Sequence, residues 1–131
     1  MPSSVHTPHS LLRAAVLAVA TVVLAAGCAS TPEKEQTEGE IYADARKNLD
    51  RGNFRTAQTR LQDLETRFPF GRYSEQSQFD MMYAQMRALD YPGAAATAGR
   101  FLRQNPAHPN ADYALYIKGL ANYWMESGVL E

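Results

Sequence analysis

A single cysteine, Cys28, stands in a chain of 131 residues, so no internal disulfide is possible. Histidine is almost as scarce. Two of the three, His6 and His9, lie at the N-terminus, which leaves His108 alone in NPAHPN, a loop between two prolines. No second His or Cys stands near it at a metal-binding spacing, so no metal site is expected. There is no excess of positive charge. The net charge is −1 over the whole chain and −2 from Cys28 onward. Neutralising phosphates needs a cationic surface, so a nucleic-acid binder is excluded. No Ser/His/Asp order, phosphate loop or isolated carboxylate pair stands out, so neither an enzyme nor a cofactor is expected. No apolar run reaches the length of a membrane span either. The longest, Ala14 to Ala26, reads AAVLAVATVVLAA. As a helix it would cover roughly 20 Å of a hydrocarbon core of about 30 Å.

That short run has Arg13 before it, no acid anywhere ahead of it and small residues at its end. This is the pattern of a secretory signal peptide. It closes on Leu24-Ala25-Ala26-Gly27-Cys28, which resembles the lipobox of bacterial lipoproteins. One departure is that Ala25 stands where a large aliphatic residue is usual, with Leu24 one place further out. The resemblance implies cleavage between Gly27 and Cys28, a diacylglyceryl thioether on Cys28 and acylation of its new amine. A free thiol exposed in an oxidising compartment would be a liability that the thioether removes. One acyl chain anchors a protein only marginally, whereas three hold it on the membrane. Ala29 and Ser30 lack the Asp that retains lipoproteins in the inner membrane, so the implied address is the periplasmic face of the outer membrane. Residues 1–27 are thus read as signal peptide. Residues 28–40 are read as the lipidated cysteine and a flexible tether: ASTPEKEQTEGE has no large apolar residue and cannot bury enough surface to offset ordering.

From Ile41 the composition becomes helical and a period appears. Phe54 and Tyr91, Ala57 and Ala94, Leu64 and Phe101, and Pro69 and Pro106 are each separated by 37 residues. The same offset links Tyr42, Phe79 and Tyr116, and again Leu49, Met86 and Tyr123. The pattern Gly52-x-Phe54-x-x-Ala57, then Leu61, Leu64 and Pro69, resembles the tetratricopeptide repeat. That unit is a pair of antiparallel helices, usually of 34 residues, and the extra length is placed in loops around Pro69–Tyr73 and Pro106–Asn110. The fold class expected is all-α: an α-solenoid of about two and a half repeats over residues 41–131. Unit one covers about 41–71, unit two about 75–108 and a partial unit three about 111–131. Repeat arrays need caps at their ends, so the half unit implies a partial chain.

Within each unit the turn carries the clearest local chemistry. Gly52 suits a left-handed helix end and Asn53 can cap the next helix. In unit two Leu89 replaces the glycine, Asp90 can cap and Pro92 suits a first helical turn. Gly99, in an Ala-rich helix, points to close approach of a neighbour. Phe68 and Phe70, either side of Pro69, are expected to tuck between units.

Positions i, i+4, i+7 and i+8 share a helix face. On the three first helices these are Tyr42, Arg46, Leu49 and Asp50; Phe79, Tyr83, Met86 and Arg87; and Tyr116, Leu120, Tyr123 and Trp124. Such residues serve either to pack units together or to line a groove for extended peptides, the use that the repeat resemblance implies. Aromatics and Arg are favoured at binding hot spots, and Met adapts to varied ligands. The candidate peptide groove is therefore Tyr42, Arg46, Phe79, Tyr83, Met86, Arg87, Tyr116 and Tyr123.

The motifs Glu40-Ile41-Tyr42, Arg67-Phe68-Pro69-Phe70-Gly71-x-Tyr73-Ser74 and Asn105-Pro106-x-His108-Pro109-Asn110-x-Asp112-Tyr113, with Tyr116-x-x-Gly119-Leu120, are more specific than the repeat. Together they resemble the BamD family of outer-membrane protein assembly factors. The likeness runs over residues 24–125 and covers the first half of such a protein. It implies a lipoprotein subunit of the β-barrel assembly machinery, whose N-terminal repeats recognise unfolded barrel proteins. Its partners would be the central barrel subunit, companion lipoproteins and unfolded outer-membrane proteins. One rival is a generic periplasmic repeat scaffold that ties cell-wall or division proteins to the membrane, which shares lipid and repeats but has no need of the two loop motifs. The other is a cell-wall or DNA-uptake lipoprotein that binds a polymer directly; the charge speaks against DNA, while exposed aromatics also stack on sugars.

Overall fold

The computed structural model describes residues 35–127, and all regular structure among them is helical. The five helices are α1 (Glu38–Asp50), α2 (Phe54–Arg67), α3 (Ser74–Arg87), α4 (Tyr91–Gln104) and α5 (Ala111–Ser127). Each packs on the next in sequence, and α3 also touches α5. This is an α-solenoid: two helix pairs and the first helix of a third. Gly27 and Cys28, with the expected signal peptide and lipid, lie outside the described residues.

The first helix begins at Glu38, ahead of the expected Ile41. A capping box sets this start. Thr37 Oγ1 accepts from the Glu40 N–H at 3.3 Å, and Glu40 Oε2 accepts from the Thr37 N–H at 2.8 Å. The end of the expected tether is also tied to the repeats. Arg67 donates to the Gln36 carbonyl at 3.1 Å, and Glu38 Oε1 accepts from the Tyr73 N–H at 2.9 Å. Polar Thr37, Glu38 and Glu40 hide this order from a hydrophobicity reading, because capping and loop contacts hold them rather than burial.

Both intra-unit turns are the same Schellman end. Gly52 at φ 75° donates to Leu49 O (3.0 Å) while Asn53 donates to Asn48 O (2.9 Å). Leu89 at φ 62° donates to Met86 O (3.2 Å) while Asp90 donates to Gln85 O (2.8 Å). The two caps differ. Asp90 Oδ1 accepts from the Gly93 N–H at 3.1 Å, whereas the Asn53 side chain, contrary to expectation, makes no cap bond. Gly93 explains the contrast. The Asp90 carboxylate occupies the space where a Cβ on residue 93 would lie, and the matching residue in unit one is Thr56.

Alanine carries much of the core. Ala57 and Ala94, a period apart, are fully buried, as are Ala84 and Ala121. Small side chains there let neighbouring helices close on Leu61, Leu64, Met82 and Phe101, all almost completely buried. Gly99 is buried too, but a Cβ there would meet only Arg103 and Lys118 at ordinary contact distance, so its absence is not required for packing. The inter-unit loops are residues 68–73 and 105–110. In the first, the Gly71 N–H donates to Phe68 O at 3.0 Å, placing Pro69 and Phe70 at the centre of a turn. Central turn residues project outward, so Phe70 is 98% exposed and does not tuck between units; Phe68 is half-buried.

Candidate functional site

The first helices of successive units stand side by side and leave a cavity of about 750 Å³. Arg46, Leu49 and Asp50 of α1 form one wall, and Gln76, Phe79, Asp80, Tyr83 and Arg87 of α3 form the other. Gly52 and Phe54 of the first turn close one end, with Asn110 and Tyr113 at the other. The size is that of a small-ligand or peptide-segment site.

Asp80 organises the middle. Its side chain is 8% exposed, and three donors reach it: Arg46 Nη1 at 3.0 Å, Tyr42 Oη at 2.9 Å and Gln76 Nε2 at 3.3 Å. A buried carboxylate needs such compensation, since an unpaired charge there would be costly. Burial, then the hydrogen bond to Asp80 and its charge, push the Tyr42 hydroxyl up to about 12. Burial and then Asp80 also push Tyr113 upward. Tyr42 is further fixed by stacking on Tyr73, ring centroids 4.3 Å apart. Arg46 reaches Asp50 as well, at 3.9 Å, so its charge is already answered.

Arg87 is held differently. Its guanidinium lies 4.7 Å from the Phe54 ring centroid and 5.7 Å from that of Tyr83, and Nη1 donates to Tyr83 Oη at 2.8 Å. Phe54 and Tyr83 meet edge to face with centroids 6.0 Å apart. No carboxylate among the described residues pairs with Arg87. Aromatic faces orient this cation without neutralising it.

Of the expected groove residues, Arg46, Phe79, Tyr83 and Arg87 line the cavity. Tyr42 stands behind it as a partner of Asp80. Met86 turns away and packs against the core cluster of Met82, Ala94 and Phe101. Tyr116 and Tyr123 are each 62% exposed on α5 and do not line the cavity. Asp80, Phe54, Gln76, Asn110 and Tyr113 join the site without having been expected there. A signal for Asp80 existed: the residue one period later is Ile117, so an acid interrupts a position that is apolar in the next unit. Among the described residues no group of three His, Cys, Asp or Glu could hold a metal ion, and no helix is long and apolar enough to cross a membrane.

The sequence model of the tetratricopeptide repeat family matches residues 30–131. The chain belongs to the tetratricopeptide repeat family. It is 39% identical over 98 residues to the outer membrane protein assembly factor BamD of Vibrio cholerae, covering 73% of this chain and 41% of the relative. It is 42% identical over 81 residues to the BamD of Neisseria meningitidis serogroup B, covering 62% and 30%. It is 32% identical over 120 residues to the BamD of Xylella fastidiosa strain 9a5c, covering 88% and 40%. The resemblance seen in the loop motifs is therefore supported across several relatives. The chain spans less than half the length of these curated relatives.

Proposed function

We propose that this chain is the N-terminal repeat portion of a lipoprotein subunit of the outer-membrane β-barrel assembly machinery. In this reading it has no catalytic role. It helps recognise unfolded β-barrel proteins and pass them on for insertion, from a lipid anchor at Cys28 on the periplasmic face of the outer membrane. Its partners are the central barrel subunit, companion lipoproteins and unfolded outer-membrane proteins. The observation that carries the reading is the cavity between α1 and α3, walled by Phe54, Phe79, Tyr83 and Arg87, in a chain similar to proteins named for outer-membrane protein assembly. An unfolded barrel strand is an extended chain of alternating apolar and aromatic side chains. Aromatic walls accept those side chains, and a modest affinity allows release, because ordering an extended chain costs free energy.

The test is affinity capture of the full chain from detergent-solubilised envelope, with mass spectrometry of what co-purifies. The central barrel subunit and unfolded porins are the expected companions. Cell-wall or division enzymes without the barrel subunit would move the assignment to a repeat scaffold.

A further inference from the structure

The tip of the first inter-unit loop offers a surface that the cavity does not use. Phe70 is 98% exposed, more than any other large hydrophobic residue among those described. The turn beneath it is pinned in place. Its Gly71 N–H donates to Phe68 O at 3.0 Å, and the Tyr73 N–H donates to Glu38 Oε1 at 2.9 Å. Gly71 lies so close to α1 that a Cβ there would meet the Glu38 carboxylate. The backbone does not call for an aromatic at the tip. One period later the same turn, His108 N–H to Asn105 O at 3.2 Å, carries Ala107 there. We infer that Phe70 and Arg72 form a foot that contacts the bilayer holding the chain's own lipid. This rests on the proposed anchor at Cys28.

Place, charge and size select a lipid surface as the occupant. The loop sits where the chain from Cys28 enters the repeats, since Arg67 donates to the Gln36 carbonyl at 3.1 Å. The stretch from Cys28 to Gln36 reaches at most about 28 Å, so the anchor confines this loop near the bilayer. Arg72 is exposed, its guanidinium 5.1 Å from the Tyr73 ring centroid, and it pairs with no carboxylate among the described residues. The acids around it are engaged elsewhere: Glu38 by the Tyr73 N–H, Glu75 by His108 at 3.4 Å and Asp63 by Arg67 at 3.5 Å. A cation beside an exposed aromatic suits the headgroup layer, where the ring enters the acyl boundary and the guanidinium stays with anionic phosphates. One projecting side chain is far too small for a protein interface, which needs roughly 800 Å² per partner. It suffices as a second membrane signal, because the anchor has already confined the chain and the preformed turn has little freedom left to lose. Such contact turns the Asn110 end of the cavity toward the membrane and the Gly52 end away from it.

The test reconstitutes the full chain in phosphatidylethanolamine vesicles, with or without phosphatidylglycerol, whose acyl chains carry bromine to quench nearby indoles. The single native tryptophan, Trp124, lies roughly 20 Å along α5 from the loop end and serves as a distant control. Phe70→Trp and Ala107→Trp are each made on a Trp124→Phe background, with circular dichroism confirming the fold. Mass spectrometry reads the acyl groups on Cys28. The Phe70→Trp indole is expected to shift to the blue and to be quenched several-fold more than the Ala107→Trp indole or native Trp124. Arg72→Gln, or omission of phosphatidylglycerol, should lower its inserted-to-free ratio about fivefold, the effect of one Arg near an anionic surface. A chain without acyl groups on Cys28 would remove the anchor reading, and this inference with it. An acylated chain whose Phe70→Trp indole is quenched no more than the Ala107→Trp one would overturn the foot and leave the anchor standing. Quenching that ignores both Arg72→Gln and the anionic lipid would overturn the part given to Arg72.

Discussion

The two junctions between successive units are built from residues at the same repeat positions, yet their chemistry is opposite. At the first, Tyr42 and Arg46 of α1 meet Asp80 of α3 in a hydrogen-bonded ionic cluster. One period later these positions are Phe79, Tyr83 and Ile117, and Phe79 and Ile117 belong to a single apolar cluster with Met82 and Phe101. A solenoid therefore tolerates either solution at one place in its repeat, provided that each is internally complete. An apolar junction gains from burial alone. An ionic junction gains little net free energy, but loses heavily when one partner goes missing.

The largest effect should come from breaking the ionic junction on one side only. Asp80→Ala leaves Arg46 and the Tyr42 hydroxyl without their shared acceptor and opens a small void. Arg46 is 46% exposed, so water recovers part of the loss, and a destabilisation of about 2 kcal/mol follows. For a domain of this size that is a fall in Tm on the order of 10 °C, read by thermal circular dichroism. Importing the second junction whole, as Tyr42→Phe, Arg46→Tyr and Asp80→Ile together, should return stability to within about 1 kcal/mol of the parent in urea titration. If the triple variant is no better than Asp80→Ala, the two junctions are not interchangeable.

The same junction predicts an alkaline weakness. Tyr42 is raised from 10.0 to about 12 in the fold, where burial and Asp80 disfavour its phenolate. Its contribution is complete below pH 10, where the unfolded tyrosine is still neutral. It is lost as pH rises toward 12, because the unfolded chain releases the proton first. Tyr42→Phe should flatten stability across that window. At the second junction the position that matches Asp80 is Ile117, so a Phe79→Tyr exchange should not create the same alkaline weakness.

Smaller effects separate the two turns. Asp90→Ala removes a cap and should cost about 1 kcal/mol, while Asn53→Ala, whose side chain caps nothing, should change stability by a few tenths. Equal losses from the two would show that Asn53 caps in solution.

What was legible in the chain was its periodicity. Matched aromatics, alanines and prolines at a fixed offset placed the helix pairs, their turns and the extended inter-unit loops. What periodicity does not encode is the rotation of each helix against its neighbours. The stripe through Phe79, Tyr83, Met86 and Arg87 is one face of an isolated helix, but α3 packs against α2, α4 and α5. Burial divides that stripe: Met86 falls to the core, while Tyr83 and Arg87 face the cavity. The ionic cluster at Asp80 was not legible for the related reason that Arg46 and Tyr42 lie 34 and 38 residues earlier in the chain. Phe70 misled because hydrophobicity was read without the turn that carries it outward.

The finest distinction is the residue at the left-handed turn position. Gly52 and Leu89 hold nearly the same backbone, φ 75° and 62°, in the same Schellman end. A Cβ in that region approaches the following carbonyl and costs roughly 1–2 kcal/mol, a cost Leu89 bears and Gly52 avoids. Gly52→Ala should therefore destabilise by about 1 kcal/mol. Leu89→Gly should stabilise, but by less, because glycine also loses more freedom on folding. Leu89 is 70% exposed, so removing its side chain forfeits little burial, and the net gain should be about half a kcal/mol. Urea titration of the pair decides it. If Leu89→Gly destabilises instead, the leucine side chain makes an intramolecular contact worth more than the strain, and the turn of the second unit is not a poorer copy of the first.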